Sequence, residues 1–194
     1  MIATKKNDFS MKKIIHLLVI AVLLNSCSSA QVFSDIDQEA DFSRYKTYSW
    51  PEDSDPLNNN YPQYDNSLNR KRWKNAIEAA MQQEGYRLVQ SNADLQIDYH
   101  IQFEHNSVID HDTYEEGESN FTRLEPSSVY QYDRGTSTIH MIDLKSKQVV
   151  WQGVITKVLD IAQIDKAEEN INKAVDRLFE KFRAQTTSLK TKQP

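Results

Sequence analysis

From Ala93 to Glu104 the chain alternates without a break. Ala93, Leu95, Ile97, Tyr99, Ile101 and Phe103 are apolar, and Asp94, Gln96, Asp98, His100, Gln102 and Glu104 between them are polar. Side chains along a strand point alternately to opposite faces, so this run reads as a strand with one apolar and one wet face. Such strands belong to antiparallel sheets that pack one side on a core. No other segment constrains the fold class as tightly.

The remaining periodic segments fit around that strand. Trp73, Ala76, Ile77, Ala80 and Met81 recur at helical spacing between Leu68 and Glu84 and predict an amphipathic helix. Asn66 or Ser67 can cap its start, and Gly85 stands where a left-handed residue ends a helix. Its first turn holds Arg70, Lys71, Arg72 and Lys74, an unusual choice where the helix dipole favours acids, read as a solvated basic face. Thr136 to Leu144 and Val149 to Leu159 predict a hairpin closed by residues 145–148. A second helical stripe, Ala167, Ile171, Ala174, Val175, Leu178 and Phe182, runs from about Asp165, a candidate N-cap, to Ala184. Residues 45–50 read as a strand that stops at Pro51, and the Pro-, Asn- and Asp-rich residues 51–66 as a loop. Together these elements predict an α+β two-layer sandwich: a mostly antiparallel sheet of about four strands covered by two amphipathic helices on one face.

The N-terminal part carries an address. Met11-Lys12-Lys13 precedes the apolar run Ile14 to Leu24, in which only His16 is polar. This is the layout of a signal peptide and is too short to span a bilayer. Leu24-Asn25-Ser26-Cys27 resembles a lipobox, and Cys27 is the sole cysteine of the 194 residues, so an internal disulfide is excluded. We therefore expect a signal peptide over residues 1–26, with Met11 as an alternative start, and lipidation at Cys27. A lipidated tether over 27–39, one domain over 40–184 and a disordered tail over 185–194 complete the expected organisation. Two or three acyl chains on one cysteine give lasting membrane attachment. Ser28 to Gln31 lack an acid after the cysteine, which points to the outer membrane and its periplasmic face. Residues 1–26 hold four Lys and one Asp, so the whole chain's formal charge of −5 becomes −8 for the rest. A balance that acidic excludes nucleic acid as the expected partner.

Candidate chemistry is sparse. Between Glu104 and Glu118 six acids surround His105 and His111. EF-hand spacing is absent, so the segment reads as an acidic exposed loop, with no metal site assigned. His100, His105, Asp110, His111 and Asp112 are the ligand candidates. His100 and His140 read as surface-strand histidines. No nucleophile elbow or glycine-rich phosphate loop is present among four glycines. Neither an enzyme nor a cofactor is expected. Trp50 and Trp151 read as packing residues, and Gly153 as a point of close approach.

Four stretches carry a family resemblance: Ala40-Asp-Phe-Ser-Arg-Tyr-Lys-Thr-Tyr-Ser-Trp50, Asn92-Ala-Asp-Leu-Gln-Ile-Asp-Tyr99, Gly135-Thr with Ile142-Asp-Leu144, and Val150-Trp-Gln-Gly153. In this order and spacing, continuing to Phe182, the chain resembles the bacterial lipoproteins grouped as domain of unknown function 4136. The lipobox and Asn-rich loops resemble Bacteroidetes members. The resemblance implies an envelope lipoprotein with an α+β domain and no catalytic residues to transfer. Residues 104–134 depart from the family pattern. The expected function is a lipid-anchored, non-enzymatic binding or interaction module with an envelope protein partner. A periplasmic small-ligand or metal-binding module, and a hydrolase using the polar strand face, stay open as alternatives, as does the oligomeric state.

Overall fold

The computed structural model describes residues 30–53, 55–110 and 128–192. Cys27, His111 and Asp112 lie outside these residues, as does the side chain of Asp110. The elements are β1 (Gln31–Ile36), β2 (Thr47–Ser49), α1 (Ser67–Gln83), β3 (Arg87–Leu88), β4 (Leu95–Asp110), β5 (Ser128–Asp143), β6 (Gln148–Val158) and α2 (Ala167–Lys192). They build one sheet in the order β1-β6-β5-β4-β2-β3. The class is α+β, with both helices packed on one sheet face and against each other. Among the described residues no helix is long and apolar enough to cross a membrane.

Antiparallel register aligns the apolar side chains into rows on the covered face. One row runs Ile97, Met141, Trp151, Ile36, and the next Tyr99, Ile139, Gly153, Ser34. Leu95, Ile97, Ile139, Met141 and Trp151 are fully buried there. The helices answer with Ile77 and Met81 from α1 and Val175, Leu178, Phe179 and Phe182 from α2. Asn66 caps α1 by accepting a hydrogen bond from Asn69 N–H, and Gly85 beyond its end has φ +87°, where glycine avoids the Cβ strain of other residues.

The structure corrects the expected sheet in two respects. It has six strands rather than about four, because two of them are very short or weakly patterned. β1 lies inside residues 27–39, read as a tether. Its inward positions are Val32, Ser34 and Ile36, and the serine in the middle hides the alternation. The sheet is mostly antiparallel, as expected, with β2 paired in parallel with both β3 and β4 at its edge. The β2–α1–β3 crossover supplies the long connection that parallel neighbours need.

Two boundaries also move. Asp160, not Asp165, caps the turn that leads into α2: its side chain accepts from Ala162 N–H, and Asp165 sits within a 3₁₀ helix, residues 161–166. At the other end, α2 continues to Lys192 through the stretch read as a disordered tail. The cause is buried polarity. The indole N–H of fully buried Trp151 requires an acceptor, and Gln185 Oε1 supplies it at 3.1 Å while also accepting from Ser34 Oγ at 3.1 Å. Leu189, a turn further on, is buried.

The basic first turn of α1 is likewise tied down rather than simply solvated. Arg70 forks onto Asp65, Arg72 Nη1 donates to Asn69 Oδ1 at 2.8 Å, and Lys74 Nζ stands 5.3 Å from the Trp50 ring centroid.

A carboxylate ties the short β2 in place. Asp94 Oδ2 accepts from the backbone N–H groups of Lys46 (2.8 Å) and Thr47 (2.9 Å) and from Thr47 Oγ1 (2.9 Å). These bonds hold the Asp94 carboxyl below the usual carboxylate range. Asp94→Ala is expected to cost about 1 kcal/mol, a value held down by solvent competition at this exposed site. Urea unfolding measures the cost, and amide exchange should accelerate first at Lys46 and Thr47. Unchanged exchange there would contradict the clamp.

Candidate functional site

The outer face of the sheet, away from the helices, is where β4 places its polar residues. Asp98 lies directly across from His140 on β5, and His140 across from Gln152 on β6. His100 projects from the same face two residues along β4, its ring centroid 5.8 Å from that of His140. The loop after β2 brings Asp55 over this face. His100 is thereby held from both sides, Nδ1 at 2.6 Å from Asp55 Oδ2 and Nε2 at 2.9 Å from Asp98 Oδ2.

Electrostatics separate the two histidines. Partial burial alone would lower the His100 pKa, but the hydrogen bond to Asp55 and the charges of Asp98 and Asp55 outweigh it, leaving His100 above the ordinary value. His140 is lowered, first by burial and then by the neighbouring His100. Near neutrality His140 is therefore an uncharged imidazole with a lone pair to offer. One ligand atom from each of Asp98, His100 and His140 can be chosen so that all lie within 4.8 Å of one another.

The other ligand candidates do not join this group. His105 lies on the helix-side face of β4, its side chain 60% exposed, with Nδ1 2.8 Å from Asp133 Oδ1, which also accepts from Tyr61 Oη at 3.3 Å. Asp110 pairs with Ser128 at the end of the described ladder. Asp55 stands in a loop of punctuation residues, where no pattern in the sequence marks it as a site residue. His100 and His140 lie far apart in the sequence, and the β4–β5 register that joins them is not visible there.

A separate apolar cleft opens between the sheet and the N-terminal ends of the helices, lined by Trp73, Ile101, Phe103, Ile155, Ile164 and Ile171 among others. Its volume of about 160 Å³ is well below the roughly 300–1,000 Å³ of ordinary ligand pockets. It contains neither His100 nor His140; the side chains of Asp98 and His100 are about a third exposed on the outer face. Trp50 and Trp151 do not form a joint platform: Trp151 is fully buried, and Trp50 Nε1 donates to Glu78 Oε1 at 2.9 Å.

Among solved structures, a DUF4136 family protein from Bacteroides thetaiotaomicron aligns with a TM-score of 0.51 at 16% identity, over 81% of this chain and 97% of that one. A PDZ domain protein from Parabacteroides distasonis aligns with a TM-score of 0.46 at 14% identity; the match covers 80% of this chain and 38% of that one. A PelC dodecamer from Paraburkholderia phytofirmans gives a TM-score of 0.41 at 12% identity, over 77% of this chain and 97% of that one. At these identities the likeness concerns the fold alone. None of the curated proteins matches the chain. The family model described as a domain of unknown function, DUF4136, matches residues 32–182, from β1 to the buried Phe182 of α2, and this chain belongs to that family.

Proposed function

We propose that the chain is a lipid-anchored cell-envelope protein, attached through Cys27 at the periplasmic face of the outer membrane, and that it works as a non-enzymatic interaction module for another envelope protein. The anchor rests on the Leu24-Asn25-Ser26-Cys27 pattern after a short apolar run. The observation that carries the interaction reading is the β4–β5 ribbon. β6 pairs with β5 only as far as Arg134, and β2 pairs with β4 only at Leu95 and Gln96. From Asn106 to Asp110 and from Ser128 to Asp133, β4 and β5 have each other and no further described strand.

An isolated two-stranded ribbon is marginal in water, and its outer edges present unpaired backbone donors and acceptors. Val108, Val129 and Tyr130 on this ribbon are about half exposed or more. A partner protein that adds a strand to one edge would satisfy the backbone and cover these side chains.

Crosslinking on intact membranes, followed by recovery of the protein, tests both halves. The native chain should yield a defined adduct with an envelope protein, a Val108→Glu/Tyr130→Ala variant should lose it, and Cys27→Ala should move to the soluble fraction. Equal adducts from the ribbon variant would overturn the interaction surface, and Cys27→Ala retained on the membrane would overturn the anchor.

A further inference from the structure

The histidine cluster belongs to a different part of the molecule from the ribbon surface and asks for its own explanation. Asp98, His100 and His140 come from adjacent antiparallel strands on one face, where the sheet fixes their Cα positions. His100 Nε2 and Asp98 Oδ2, 2.9 Å apart, are already near the spacing of about 3.3 Å between two ligands in a tetrahedral site with bonds of about 2.0 Å. His140 needs only a side-chain adjustment to close the third side, since its ligand atom lies within 4.8 Å of the others.

The surroundings match what such donors require. A metal-bound imidazole is held by a hydrogen bond to its other ring nitrogen, often from a carboxylate. Here Asp55 holds His100 Nδ1, and Gln152 stands directly across from His140 on β6, where its side chain can hold that ring. A divalent cation would take the place of the proton that joins His100 Nε2 to Asp98 Oδ2, with the carboxylates of Asp98 and Asp55 facing it. The side chains of Asp98 and His100 are about a third exposed, so an ion can enter from solvent and keep water on its open positions.

We propose that Asp98, His100 and His140 form a three-ligand site for a divalent transition-metal ion of the zinc type, with Asp55 and Gln152 orienting the two imidazoles. Two imidazoles and one carboxylate suit such ions better than Ca²⁺ or Mg²⁺, which prefer sites made wholly of oxygen. The proposal does not depend on the ribbon, and either can fail without the other.

Titration calorimetry of the untagged, chelator-stripped full chain in detergent with ZnCl₂ at neutral pH tests it. One ion per chain with micromolar affinity is expected. His140→Ala and Asp98→Asn should each weaken binding by about tenfold or more, and Asp55→Asn by a similar factor through misorientation of His100. The double variant Asp110→Asn/Asp112→Asn should bind as the native chain does. Circular dichroism confirms that each variant is folded, which is expected because the substituted side chains lie off the packed core. Absence of binding at millimolar zinc, or loss of binding in the Asp110/Asp112 variant with retention in the folded His140→Ala protein, would overturn the proposal.

Discussion

Gly153→Ala is expected to destabilise the domain by about 3 kcal/mol, at the upper end of what overpacking a core usually costs. A Cβ at this position would stand 2.4 Å from Trp151 Cη2, 2.8 Å from Trp151 Cζ2 and 3.1 Å from Leu178 Cδ2. None of these neighbours has room to retreat. Trp151 and Leu178 are fully buried, and the indole is tethered by its bond to Gln185. The ring lies across the next inward position of its own strand, which only a residue without a side chain leaves open. For a domain of this size the loss corresponds to a fall in melting temperature of roughly 6–12 °C. Trp151→Phe removes the edge of the indole that collides, so Gly153→Ala should cost less in that background than in the native one. A double-mutant cycle by urea unfolding reads this coupling. A melting temperature for Gly153→Ala within about 2 °C of native would refute the argument.

The second large effect is expected at Asp65. Its side chain is wholly buried, and it accepts from Arg70 Nε at 2.5 Å, Arg70 Nη2 at 2.7 Å and the backbone N–H of Asn58 at 2.8 Å. Asp65→Ala leaves that guanidinium and that amide without the partner they were desolvated for. The expected cost is about 3 kcal/mol, the lower end for a broken buried pair, because the Arg70 side chain keeps some contact with water. Replacing both residues, as in Asp65→Ala/Arg70→Met, should recover part of the loss, since no uncompensated charge then remains.

The same pair sets an acid limit. Burial raises the Asp65 pKa, but the hydrogen bonds from Arg70 and Asn58 and the charge of Arg70 lower it further, so the folded value lies below the ordinary one. The stabilisation is therefore present above pH of about 4 and drains away as pH falls through the folded pKa. Stability measured between about pH 5 and pH 2 should fall more steeply for the native chain than for Asp65→Asn. Parallel curves would mean that other carboxylates set the limit.

These residues show what could be read from the sequence. β4, the β5–β6 hairpin and both amphipathic stripes were legible because each repeats its period several times over. β2 was legible from its aromatic and Thr residues before Pro51, but β3 spans only two residues, too short for a period, and is placed by the crossover helix rather than by patterning. The end of α2 was illegible for another reason: Gln185 and Leu189 sit among polar residues, and only the position of Trp151 reveals why they are ordered. The motifs that carried the family resemblance turn out to brace one another. Asp94 clamps Lys46 and Thr47, Asp143 accepts from Tyr45 Oη at 2.9 Å and from the turn amides of Lys145 and Ser146, and Gly153 makes room for Trp151. The candidate metal ligands were visible singly, His100 and His140 each on a strand, but their meeting depends on the β4–β5 register, which no sequence pattern sets.

β1 has one more consequence. Its first residue, Gln31, lies at the end of the sheet from which the ribbon extends, in the row of Thr156, Thr136 and Gln102. With lipid on Cys27, as proposed, the three-residue step to Ala30 spans at most about 11 Å. The body cannot float above the bilayer on such a leash. The eight residues of β4 beyond Gln102 reach roughly 26 Å further in the same direction, and a ribbon with unpaired backbone edges cannot be driven into hydrocarbon. A domain anchored in that way would recline, its strands close to the membrane plane and the ribbon swept along the lipid surface. A neighbour on that surface would be met sideways, by two-dimensional diffusion, rather than from the periplasm above.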